Sequence, residues 1–126
     1  MGSRERNKGA RGERLLKDKI NEHGFDTHRG FTFHHESDVV GLPGIHIECK
    51  FVEKLNVRQA YKQACQEAEK RKDGEPTVMW KKSREKWLAI TDLDYFLDIY
   101  KYAMEHGYEG YISNRNEASG VVEEAE

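Results

Sequence analysis

Residues 38–50 read Asp-Val-Val-Gly-Leu-Pro-Gly-Ile-His-Ile-Glu-Cys-Lys, and no other stretch limits the fold as tightly. Leu42-Pro43-Gly44 is a tight-turn sequence between two runs rich in β-branched residues, so the segment predicts a hairpin. Side chains alternate along a strand, which puts His46, Glu48 and Lys50 on one face, with Glu48 and Lys50 about 6–7 Å apart. The turn is short, so register favours the return of Asp38 to the side of Glu48. A carboxylate beside Val39 and Val40 is awkward without a partner.

Around the hairpin, helical and extended patterns alternate. Leu15, Leu16, Lys19 and Ile20 recur at helical spacing across residues 8–23, and Gly24 follows as a stop. Residues 25–33 read as extended, and the hairpin strands as 37–42 and 45–52. Asn56 is an N-cap for a helix whose apolar face is Val57, Ala60, Tyr61, Ala64, Cys65 and Ala68. Lys72-Asp73-Gly74-Glu75-Pro76 breaks that helix. Residues 77–81 and 87–91 predict two strands around a basic loop. Thr91 with Asp94 resembles a cap for a last helix carrying Leu93, Phe96, Leu97 and Tyr100. The order of helix, three strands, helix, two strands and helix predicts an α/β domain with a mixed sheet. The expected division is one domain over residues 1–106, followed by a disordered acidic tail over 107–126.

Charge makes sense only when it is divided along the chain. The 126 residues carry a net −2, yet residues 105–126 hold six acids and one base, leaving residues 1–104 with 17 acids and 20 bases. Two basic clusters stand out, residues 4–19 and 81–86, and either can contact phosphates or be ordinary solvated surface. No run of 18 apolar residues exists and the N-terminus lacks an apolar core, so neither a membrane span nor a signal peptide is expected. Cys49 and Cys65 form no CxxC pair, which speaks against a disulfide framework or zinc knuckle. Both sit in apolar patterns as small buried hydrophobes, and a reducing cytoplasm is the expected compartment.

Two carboxylates and an ammonium at one end of a hairpin suit a divalent cation next to a phosphodiester. A half-exposed strand with a surface ion pair produces the same Glu48/Lys50 spacing. Glu13 lies one turn before Leu16, at the edge of the buried stripe of the first helix, where a third acid can aim at the sheet. Arg14 and Lys17 offer it surface partners instead. His34, His35 and His46 lack the spacing of a zinc or HNH-type site. Trp80 and Trp87 flank the basic loop, where they either stack on bases or belong to the core.

Glu13, Asp38 and Glu48-Cys49-Lys50 resemble the PD-(D/E)XK nuclease pattern, with Ser37 where the motif's first position is often Pro. Over residues 8–91, Lys8-Gly-Ala-Arg-Gly-Glu13 and Gly41-Leu-Pro-Gly-Ile-His-Ile-Glu-Cys-Lys50 are similar to archaeal-type and phage-encoded Holliday-junction resolvases. The resemblance implies a restriction-endonuclease-like αβββαβ core, here with a C-terminal helix added. It implies that Asp38, Glu48 and the Cys49 backbone carbonyl bind Mg²⁺ or Mn²⁺, and that Glu13 holds a metal-bound water or a second metal. Lys50 would orient the attacking water or stabilise charge on the phosphorane, leaving 5′-phosphate and 3′-hydroxyl ends. Gln63, His34 and His35 are candidate accessory residues, and Arg11, Lys81, Lys82 and Arg84 candidate DNA contacts. The expected function is a metal-dependent DNA endonuclease of a bacterial or archaeal host or its phage, most of all a junction resolvase acting as a homodimer. A flap, duplex-repair or restriction-type nuclease, or a non-catalytic DNA-binding module of the same fold, is the alternative.

Overall fold

A computed structural model describes residues 3–30, 38–110 and 114–115, with side chains from residue 8 onward. His34 and His35 lie outside the described residues, as does most of the expected tail. The elements in chain order are α1 (Ser3–Asn21), β1 (His28–Arg29), β2 (Val39–Val40), β3 (Ile45–Phe51), α2 (Val57–Arg71), β4 (Glu75–Lys81), β5 (Leu88–Ile90) and α3 (Leu93–Glu105). The chain divides into two compact units, residues 1–92 and 93–126. The expected boundary at residue 106 falls inside the second of these.

The first unit is an α/β domain built on a five-stranded mixed sheet of order β1-β2-β3-β4-β5. Only β3 and β4 run parallel, in register from Ile45↔Glu75 to Phe51↔Lys81; the other neighbours are antiparallel. Two parallel strands need a crossover between their ends, and α2 supplies it. Among the described residues β1 is His28–Arg29 and β2 is Val39–Val40, and the Gly30 N–H donates to the Asp38 carbonyl at 3.1 Å; residues 31–33 and 37 of the expected strands lie outside the described residues.

β3 is the centre of the unit, and its alternating residues serve two cores. On one face Ile47 packs with Leu16 and Ile20 of α1 and with Val39, and Cys49, Met79 and Trp87 border them. Each such buried aliphatic side chain contributes about 1.5–3 kcal/mol of transfer free energy. Gly12 lets α1 approach, since a Cβ there would come within 2.6 Å of the Phe51 Cβ. On the other face Ala60 and Ala64 of α2 close on Val78, flanked by Leu55, Tyr61, Trp80 and Ile90. Small residues one turn apart bring this helix close to the sheet. The half-exposed reading of β3 is therefore overturned, because α2 covers the face that carries His46 and Glu48. Those two residues are 0% and 7% exposed.

Local chemistry sets the ends of the elements. The Asn56 side chain accepts the Gln59 N–H at 3.1 Å and caps α2, as its sequence predicts. Lys72 closes α2 in the left-handed conformation, with its N–H on the Ala68 carbonyl at 2.7 Å. Asn21 holds the return from α1, accepting both the amide and the hydroxyl of buried Thr27 at 2.7 Å. The Thr91 hydroxyl donates to the Pro76 carbonyl at 3.2 Å and so ties the end of β5 to β4. Cys49 and Cys65 are half-buried free thiols, more accessible than their apolar patterns imply.

In the second unit α3 has no buried residue. Leu93, Phe96, Leu97, Ile99, Tyr100 and Tyr102 are all exposed. Residues 108–110 are helical, and Tyr108 meets Tyr100 edge-on with ring centroids 5.7 Å apart. Among the described residues no helix is long and apolar enough to cross a membrane.

Candidate active site

The ladder between β2 and β3 pairs Val39 with Ile47. Two residues further along β3, the Cys49 N–H donates to the Asp38 carboxylate, with Oδ2 2.9 Å from the Cys49 nitrogen. The N–H and C=O of a strand residue lie along the same edge, as the paired bonds of a ladder require. The Cys49 carbonyl therefore shares an edge with Asp38.

Asp38 feels the charges around it. Burial, and next the charge of Glu48, push the Asp38 carboxyl up from 3.8 to about 6. Glu13 raises it further, while the Cys49 amide and Lys50 oppose the rise. Burial and the charges of Asp38, Glu13 and Glu48 likewise push the Cys49 thiol upward, so it stays protonated at neutral pH. Glu48 and Lys50 of β3 and Glu13 of α1 thus all act on Asp38, just before β2. Glu13 is not paired with Arg14 or Lys17, because β1 carries Arg29 to it, Nε to Oε1 at 3.1 Å.

Lys50 extends along the α2 face, and its ammonium donates to Gln63 Oε1 at 3.1 Å. Gln63 is exposed on the second turn of α2, so it fixes the ammonium without burying it. Glu48 is held from the other direction. His46 Nε2 lies 3.3 Å from Glu48 Oε1, and His46 Nδ1 lies 2.8 Å from Asp73 Oδ1. Burial alone lowers the imidazole pKa, but the hydrogen bonds to Glu48 and Asp73 outweigh it and the net shift is upward. Both ring nitrogens face carboxylates, which suits an imidazolium donating to each. His46 shares a face with Glu48 in the sequence pattern, but nothing local points to Asp73, 27 residues away.

The two basic clusters meet at the end of β3. Lys8 and Arg11 of α1 and Lys81 of β4 all lie over the Phe51 ring, 5.2, 5.7 and 5.5 Å from its centroid. Three cations around one ring repel each other, and the ring quadrupole compensates only about 0.5–1 kcal/mol for each exposed one. An anion would be attracted there. The turn beyond β4 is pinned by Glu53, which accepts the Ser83 amide at 2.9 Å. Arg84 sits on that turn, exposed, with a left-handed φ of 65°. Lys82 covers the Trp80 ring at 5.7 Å, and the Trp80 indole donates to the Val52 carbonyl at 2.8 Å. Trp80 and Trp87 belong to the folded body.

The donor set fits a small hard cation. Among the described residues no three His, Cys, Asp and Glu side chains gather closely enough to hold a metal ion. Two carboxylates and one carbonyl, completed by water, need no such trio and match how Mg²⁺ is usually held. The raised Asp38 carboxyl reflects burial first and the neighbouring charge of Glu48 next, which Lys50 only partly offsets. No protein-family model, curated protein or solved structure matches the chain.

Proposed function

We propose that this chain is a divalent-metal-dependent DNA endonuclease with a restriction-endonuclease-like fold, acting on branched DNA as a Holliday-junction resolvase. One observation carries the reading: Asp38 is held on the Cys49 amide, between Glu48 and Lys50 in sequence, and is raised to about 6 by burial and by Glu48. Carboxylates crowded in this way favour binding of a cation. Asp38, Glu48 and the Cys49 carbonyl would hold Mg²⁺ or Mn²⁺. Bound there, the ion would polarise a phosphoryl oxygen and make an adjacent water more acidic.

The remaining roles belong to the chain's own groups. Lys50, oriented by Gln63, places a positive charge beside the scissile phosphate, where negative charge develops. Glu13, paired with Arg29, adds a third carboxylate at the edge. Lys8, Arg11 and Lys81 attract a further phosphate of the same strand, with Lys82 and Arg84 on the adjoining turn. A resolvase makes two symmetric nicks, which a two-fold pair of sites provides. The exposed apolar residues of α3 are the surface such a homodimer would cover. Free thiols at Cys49 and Cys65 suit the reducing cytoplasm of a bacterial or archaeal host, including a phage-infected one.

Incubation of labelled four-way junction, flap and linear duplex with the protein, with and without Mg²⁺, tests the reading. Paired nicks in the junction, only with Mg²⁺, support it. Cutting confined to flap or duplex would make it a repair or restriction-type nuclease. Binding without cutting would make it a DNA-binding module.

A further inference from the structure

We propose that Asp73, acting through His46, is a positioning residue that fixes the Glu48 carboxylate for cation binding. The inference rests on the metal-site reading above. Glu48 is a flexible side chain beside two other acids, and like charges turn such a carboxylate away from its neighbours. Fixing it in one rotamer costs on the order of 1.5–2 kcal/mol of conformational entropy, so some other contact has to hold it. His46 provides that contact, and its fully buried ring has no room to swing. Nε2 holds Glu48 Oε1 at 3.3 Å, which leaves Oε2 for a cation.

The imidazole is itself held by a rigid partner. Asp73 Oδ1 is 2.8 Å from Nδ1, and it stands in the tight passage from α2 to β4. Lys72 before it is locked in the left-handed conformation with its N–H on the Ala68 carbonyl. Gly74 after it has a φ of 140°, and a Cβ there would lie 2.5 Å from the Gly44 carbonyl carbon and oxygen. The Glu75 amide then bonds the Gly44 carbonyl at 2.8 Å. The β2–β3 turn, the end of α2 and the start of β4 are therefore clamped together around Asp73. Carboxylate, imidazole and carboxylate form a strut from that clamp to the site. Partners one step behind a metal ligand orient it in this way, and their loss typically reduces metal affinity roughly 10–100-fold.

Mn²⁺ titration of the full chain, by calorimetry and by the spin-resonance signal of free Mn²⁺, tests the strut without using cleavage. Asp73→Ala should weaken Mn²⁺ binding roughly 10–100-fold while the protein stays folded. Asp73→Asn keeps an acceptor for Nδ1 and should fall between Asp73→Ala and wild type. Gln66→Gly, at an exposed position within α2, loosens the helix by about 1 kcal/mol without touching the clamp and should bind Mn²⁺ as wild type does. Wild-type affinity in a folded Asp73→Ala, or an equal loss in Gln66→Gly, would overturn the strut and leave the metal site standing. Absence of Mn²⁺ binding in the wild type would overturn both.

Discussion

The carboxylate of Asp38 accepts the backbone N–H of Cys49 at 2.9 Å. One side chain thus brings a charge to the edge that carries the Cys49 carbonyl. Asp38 is also crowded by Glu48 and Glu13. The site is built at a cost to the fold, and that cost can be measured.

Asp38 rises from 3.8 to about 6, so its ionised form is less favoured in the folded chain than in the unfolded one. A carboxyl raised on folding adds to stability at low pH and detracts from it once ionised. Stability should therefore fall as pH rises from about 4 through 6, and Asp38 should cost on the order of 3 kcal/mol at neutral pH. Asn at this position keeps an oxygen for the Cys49 amide and removes the charge. Without added metal, Asp38→Asn should be more stable than wild type at pH 7.5 in urea unfolding, with the gap closing near pH 4. Mg²⁺ should stabilise the wild type and not the variant. A gap that ignored pH would mean that Asp38 is not crowded.

Lys50 and the basic cluster should separate in kinetics. Lys50→Ala removes a charge held by Gln63 which, on the proposed reading, would stand beside the scissile phosphate, so kcat should fall about 10²-fold or more while DNA affinity changes little. Neutralising Lys8, Arg11 and Lys81 together should weaken binding and reduce its slope against log salt by about 3, one for each lost phosphate contact. Equal losses of affinity from both changes would reduce Lys50 to another phosphate contact. Gln63→Ala should reproduce part of the Lys50 defect in kcat, measured under single-turnover conditions.

Much of this arrangement is legible in the sequence where the signal is local. The Leu42-Pro43-Gly44 turn, the Asn56 cap and the Ala60/Ala64/Ala68 stripe each carry their own chemistry, and each forms as it reads. The alternation in β3 shows that His46, Glu48 and Lys50 share a face. Parity alone does not show whether a helix covers that face, and here α2 does. The contacts that complete the site span long separations: Arg29 with Glu13, Asp73 with His46, and Lys8, Arg11 and Lys81 around Phe51. A periodic pattern holds no record of such pairings. The Thr91 hydroxyl likewise answers to Pro76, 15 residues back.

α3 makes the oligomeric state a separate test. Its exposed Phe96, Leu97, Ile99 and Tyr100 should be covered by a second copy, so sedimentation equilibrium at micromolar concentration should give a dimer. Replacing Phe96 and Leu97 with Glu should shift it toward monomer and abolish paired nicks more than single ones. A monomer both free and on junction DNA would point to a flap or duplex nuclease.

Cleavage of a labelled four-way junction by wild type, Asp38→Asn and Glu48→Gln in Mg²⁺, with binding measured in parallel, is the most direct test. Wild type should cut and leave 5′-phosphate ends. Both variants should lose at least about 10²–10³-fold in rate while binding the junction as wild type does. Wild-type cutting without a divalent ion, or near-normal cutting by either variant, would contradict the site at Asp38 and Glu48.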